Sequence, residues 1–134
     1  CCVDRRSHPA LRLWWVYKRC CDACNMTTTD TVILALTTEA DEDKARSLAD
    51  LLLERGVAAC VSLTPVRSCY RWQGELHQAS EVQLLIKSTA AQRDALHQLV
   101  MDRHSYDTPE WLSWPAQSSV AYGSWVAASC FNDT

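Results

Sequence analysis

From Thr31 onward the spacing of the apolar residues changes period in an order that few folds accommodate. "TVILALT", residues 31–37, is a continuous apolar run of strand length, as expected for a strand buried on both faces. It gives way to "TEADEDKARSLADLLLERG". There Ala45, Leu48, Ala49, Leu52 and Leu53 recur at helical spacing, Glu42, Asp43 and Asp50 face away, and Gly56 ends the helix. "VAACVSLTPV" is apolar enough for a second strand, in which Pro65, having no N–H to donate, requires a bulge or an edge position. The strand resumes as "RSCYRW", turns at Gln73-Gly74 and returns through "SEVQLLIKS", where Val82, Leu84 and Ile86 alternate with polar or exposed neighbours, predicting a long hairpin.

A second helix follows. Thr89 and Gln92 stand at capping-box spacing, and Leu96, Leu99 and Val100 form an inward stripe. After Pro109, "EWLSWP" predicts a short fourth strand. Residues 119–129 predict a last helix, weakened by Gly123, which costs about 1 kcal/mol relative to Ala. The order β-α-β-β-α-β with right-handed crossovers predicts an α+β fold, the ferredoxin-like or split β-α-β sandwich, in which an antiparallel sheet carries both helices on one face and a C-terminal helix follows. Its other face is then open, and apolar residues there demand a partner subunit.

The 134 residues suit one domain, and 48% apolar with 22% charged residues are ordinary values for a folded one. The net charge of −3 is unevenly spread. Residues 1–25 carry Arg5, Arg6, Arg12, Lys18 and Arg19 against Asp4 and Asp22, and the remainder is acidic. An acidic body argues against nucleic acid, whose phosphates call for a basic face, and suits cations or polar metabolites. No run approaches the eighteen or so apolar residues of a membrane span.

Five of the eight Cys lie within residues 1–25; Cys60, Cys69 and Cys130 sit singly in apolar runs. Free thiols in a reducing, cytoplasmic setting are the expectation. Met26 opens a polar lead-in to the first strand, so residues 1–25 read as an N-terminal extension, disordered or non-native, and residues 26–134 as the domain. "CCDAC" within the extension offers Cys21 and Cys24 at zinc-ligand spacing, without a second pair to complete four ligands. Gly56, Gly74 and Gly123 are all assigned to a helix end, a turn and a helix, so none remains for a phosphate-cradling loop.

Groups able to carry chemistry fall into two clusters: Cys60, Cys69, Tyr70, Arg71, Trp72 and Lys87 on the hairpin, and "HSYDTPE", residues 104–110. Borderline metals favour such N, O and S donors, with Cys60 a soft ligand suited to copper or zinc. The competing reading of Cys60 is a buried small hydrophobe, and that of His104 is a residue closing a helix C-terminus. With a two-residue turn and unbroken register, Lys87 lies opposite Cys60; a bulge at Pro65 would displace it. Ser68, Tyr70 and Trp72 share one strand face, whereas Cys69 and Arg71 share the other. Cys60, His104 and Glu110 could compose a hydrolase triad, but no nucleophile elbow or oxyanion loop accompanies them.

The strings "AACVS", "RSCYRWQGEL", "LLIKS" and "HSYDTPE", in this order, closely resemble the CutA family, the divalent-cation-tolerance proteins, over residues 31–128. The resemblance implies a ferredoxin-like domain in a tight homotrimer, with long hairpins and sheet edges joining between subunits, similar in plan to the PII signalling proteins. It further implies copper or other divalent-metal binding, a role in metal-ion response and no enzymatic reaction. By position, Cys60, His104 and Glu110 become the expected metal ligands, with Tyr70, Arg71, Trp72, Lys87 and Tyr106 near clefts between subunits. Three departures stand out: Ser62 where the family usually has Asn, Ser105 in place of Pro, and Asp107 in place of Glu. A second reading stays open, in which Arg71 and Lys87 pair with an anionic metabolite or nucleotide in those clefts, as in a PII-like sensor.

Overall fold

A computed structural model describes residues 30–132; the expectations for residues 1–25, including the zinc-ligand spacing of Cys21 and Cys24, lie outside the described residues. The elements are β1 (Thr31–Glu39), α1 (Glu42–Glu54), β2 (Cys60–Trp72), β3 (Glu75–Ser88), α2 (Arg93–Arg103), β4 (Leu112–Gln117) and α3 (Val120–Ser129). The strands form one sheet in the order β2-β3-β1-β4, antiparallel at every step, as the ferredoxin-like reading requires.

Each element has a local cause. Asp41 caps α1 by accepting from the Lys44 N–H at 2.8 Å. At the other end Gly56 takes φ +70°, and the bonds Gly56 N–H to Leu53 O and Val57 N–H to Leu52 O complete a Schellman stop. Gln73 and Gly74 both have positive φ, the signature of the two-residue turn whose twist matches the strands it joins. Ser119 caps α3 by accepting from the Tyr122 N–H.

Register does the rest. Val82, Leu84 and Ile86 of β3 lie opposite Glu39, Thr37 and Ala35 of β1 and opposite Pro65, Leu63 and Val61 of β2, and this face packs under α1 and α2. Ala45, Leu48, Ala49 and Leu52 of α1, with Leu96 and Val100 of α2, close the core. The C-terminal tail is held against the end of α1: the Phe131 N–H donates to Gly56 O, and Phe131 occupies the space a side chain at residue 56 would need.

Two expectations are corrected. Residues 89–92 form a turn, α2 begins at Arg93, and no capping box forms, because the buried Gln92 side chain donates to Asn132 Oδ1 at 2.8 Å instead of reaching back to Thr89. Leu53 lies at the margin of the α1 stripe and is exposed. Of the two expectations for Pro65, the edge position is the one observed: β2 is an edge strand, and the register runs unbroken from Cys60↔Lys87 to Trp72↔Glu75.

Candidate functional site

The open sheet face and the turn after α2 carry the polar chemistry. On the open face, Cys60 is half-buried, and the unbroken register brings Lys87 Nζ within 3.9 Å of its Sγ. The same ammonium donates to Ser62 Oγ, so the residue that departs from the family pattern is the one engaged by Lys87. Tyr122 of α3 approaches this group; burial pushes its phenol up, with the Cys60 charge adding to the shift. Cys60 therefore flanks a polar patch instead of filling the core.

The second cluster is built around the end of β1. Glu39 continues the inward series Ile33, Ala35, Thr37 and is 2% exposed. A buried carboxylate is tolerated only where donors surround it, and here the Ala40 N–H (3.2 Å), the Ser105 N–H (3.2 Å) and the Ser105 hydroxyl supply them. His104 has no exposed side-chain surface. Its Nδ1 accepts from the Tyr106 N–H at 3.0 Å, so Nε2 carries the proton and donates to Thr38 O at 2.7 Å. With both nitrogens occupied, the contact between Nδ1 and Glu39 at 3.7 Å is packing of a neutral ring against a carboxylate. Tyr106 donates to Glu81 Oε2 at 2.8 Å. Burial, then the Glu81 hydrogen bond and charge, push its phenol well above the usual range.

The structure separates the residues expected to act together. Lys87 sits opposite Leu34 of β1, whereas His104 binds the carbonyl of Thr38, four residues further along. At strand rise that is roughly 13 Å, before the two strand spacings that also separate Cys60 from β1. Glu110 is exposed and precedes β4. Among the described residues no group of three or more His, Cys, Asp or Glu is placed to hold a metal ion. Arg71, bonded to Gly74 O, and Lys87 lie at opposite ends of the hairpin, eleven register positions or roughly 36 Å apart. One copy therefore cannot direct both at a single anion. Tyr70 stacks on His77 at 5.7 Å, and Trp72 is 55% exposed at the tip.

Glu39 and Glu81 escaped the sequence reading. Glu39 had a signal: a carboxylate in phase with the inward residues of β1 must find donors. Glu81 had none, because its partner Tyr106 arrives from the far side of α2.

The model of the family described as CutA1 divalent ion tolerance protein matches residues 33–129. The chain belongs to this family. It is 45% identical over 99 residues to the divalent-cation tolerance protein CutA of Pectobacterium atrosepticum, covering 72% of this chain and 90% of that protein. Against the Escherichia coli proteins of the same name, identity is 39% over 101 residues, with 74% and 90% covered. Among solved structures, CutA from Synechococcus elongatus aligns with a TM-score of 0.72 and 44% identity, covering 75% of this chain and 90% of that one. CutA1 from Oryza sativa aligns with a TM-score of 0.75 and 29% identity, covering 80% and 100%. Membership ties the chain to divalent-metal-ion tolerance and agrees with the ferredoxin-like sheet.

Proposed function

We propose that the chain works as a non-enzymatic homotrimer that binds copper, or zinc as the nearest alternative, in the cellular response to divalent metal ions. The observation that carries this reading is Cys60: a free, half-buried thiol on the sheet face that a single copy leaves uncovered. A thiolate is a soft donor that selects copper and zinc over magnesium or calcium. One copy does not assemble a closed site from Cys60, His104 and Glu110, so the proposed ligand set draws on more than one copy. Cys60 and Glu110 are available as placed; His104, whose ring nitrogens are both engaged within one copy, is the member of the set that the titration of His104→Ala tests. In this reading the metal is bound by a domain whose folding rests on its apolar core, with no metal required for folding.

Free Cys60, Cys69 and Cys130 fit the cytoplasmic setting proposed with this reading. No helix of the described residues is long and apolar enough to cross a membrane, and the acidic body favours cations over nucleic acid as partners.

The test is calorimetric titration of copper into wild type, Cys60→Ser and His104→Ala, with the mass of each variant measured by light scattering. Cys60→Ser is expected to weaken binding by more than about tenfold. Equal affinities in all three proteins would sink the site assignment.

A further inference from the structure

We infer that Cys60 and Lys87 form a modification site for hydrogen peroxide, at which the oxidised sulfur of Cys60 is captured by the Lys87 amine in a reversible S–N bond. The site stands on geometry within one copy and needs neither a metal nor a second chain.

The hairpin register creates it. Cys60 and Lys87 are direct partners across the antiparallel pair of β2 and β3, so their side chains leave the sheet on the same face. That face is the open one, and Cys60 is half-buried on it, which leaves its sulfur within reach of a small oxidant. Lys87 Nζ lies 3.9 Å from the Cys60 Sγ. The flexible stem of a lysine can carry its ammonium away into solvent, but here Nζ also donates to the hydroxyl of Ser62, two residues along the strand on the same face. Ser62 thus holds the amine beside the thiol. Among the described residues no carboxylate pairs with Lys87, so no ion pair has to break before its nitrogen forms a bond.

The other two thiols of the described residues lack this partner. Cys69 faces Gln78 across the same pair, an amide without a nucleophilic nitrogen. Its neighbours on that face of the strand, Arg67 and Arg71, are guanidinium groups that stay protonated. Cys130 sits against Ser88 and Thr89, and burial outweighs their hydrogen bonds and pushes its thiol up, which lowers the share of reactive thiolate. Of the three, Cys60 is the one with an amine held against it.

The modification takes two steps. The Cys60 thiol attacks one oxygen of hydrogen peroxide: an S–O bond forms, the O–O bond breaks, the second oxygen leaves as water, and the sulfur becomes a sulfenic acid. Lys87 Nζ then attacks that sulfur: an S–N bond forms, the S–O bond breaks, and the hydroxyl leaves as water with one of the two protons the ammonium gives up. The other proton passes to solvent. The sulfur loses two electrons and the peroxide gains them. Sulfenic acids condense with backbone nitrogen to a sulfenamide in this way, and a side-chain amine is the better nucleophile. Two equivalents of a small thiol reverse the reaction, restoring Cys60 and Lys87 and leaving as a disulfide. The bond spares Cys60 the further oxidation to a sulfinic acid. It also consumes the sulfur donor that the proposed function gives to copper, so peroxide would release the metal; that consequence rests on that reading, whereas the site itself does not.

The experiment treats the reduced full chain with hydrogen peroxide in buffer containing a chelator, alkylates the remaining thiols and maps the tryptic peptides by mass spectrometry. The expected product joins residues 56–67 to residues 72–93, is short of two hydrogens relative to the two peptides, and has cleavage after Lys87 blocked. A small thiol should abolish it. In Lys87→Arg, which keeps the charge but loses the amine, Cys60 is expected to take up dimedone, a sulfenic-acid reagent, and to go on to sulfinic acid, whereas wild type resists both. Cys60 recovered from wild type unmodified, as a sulfinic acid or in a disulfide, with Lys87 free, overturns the site, and so does a linked pair that retains an oxygen. Copper titration of the linked protein, compared with the same sample after reduction and removal of the thiol, tests the consequence. Affinity more than about tenfold weaker in the linked form is expected; equal affinities overturn the role of Cys60 in metal binding while leaving the modification site standing.

Discussion

Replacing Ser105 by Ala should destabilise the chain out of proportion to the size of the change. Ser105 lies in a turn, yet its hydroxyl and its N–H both donate to Glu39, a carboxylate 2% exposed. Hydrogen bonds to a charged group contribute about 1.5–3 kcal/mol each, and a buried charge that loses a donor recovers no water in exchange. Ser105→Ala leaves the N–H in place and is expected to cost about 1.5–3 kcal/mol. Ser105→Pro, which restores the residue usual in the family, removes both donors and leaves only the Ala40 N–H, so its cost should reach about 3–5 kcal/mol. Glu39→Ala combined with Ser105→Ala separates the pair from its surroundings: the coupling should recover most of the Ser105→Ala cost, because without the carboxylate the hydroxyl has nothing to stabilise. Urea unfolding midpoints, compared at one protein concentration so that assembly contributes equally, provide the readout. A Ser105→Ala midpoint within about 0.5 kcal/mol of wild type, or a coupling near zero, would refute the clasp.

Two further perturbations follow from single observations. Thr37 Oγ1 is fully buried and has no hydrogen-bond partner, so Thr37→Val should stabilise the chain by about 1–2 kcal/mol in the same unfolding assay; a loss of stability would mean that the hydroxyl is paired after all. Tyr106 is held above its ordinary value of 10.0 by burial and by Glu81, with Glu39 and Tyr70 adding to it. A raised folded-state value contributes stability that is full below the unfolded value and is lost as pH rises towards the folded one. Stability should therefore fall above about pH 10 more steeply in wild type than in Tyr106→Phe, and equal slopes in alkaline unfolding would contradict the Tyr106–Glu81 bond.

Most of the strand and helix order was legible because it depends on contacts between near neighbours. The strand-to-helix switch after Thr37, the stop at Gly56 and the turn at Gln73-Gly74 are short-range rules; the stop and the turn hold in the structure, and β1 runs two residues further, to Glu39. The pairing of Cys60 with Lys87 was equally accessible, since a two-residue turn and an edge position for Pro65 leave the hairpin a single register. Where a distant residue competes, the local rule loses. Gln92 stands at the right spacing to cap a helix from Thr89, but Asn132, forty positions away, takes its side chain. His104 shows the same limit on the functional side: its spacing to Tyr106 and Glu110 suggests a ligand, whereas the turn folds its ring onto Thr38 and fills both nitrogens.

The sequence by itself determined the elements, their order, the two-faced hairpin and the family, because periodicity and turn chemistry act within a few residues. Only the tertiary structure decided that Glu39 is buried and clasped by Ser105, and that Cys60 and His104 stand apart within one copy. Those outcomes depend on which residues, up to 66 positions apart in the chain, are brought within hydrogen-bonding distance, and no local pattern encodes that distance.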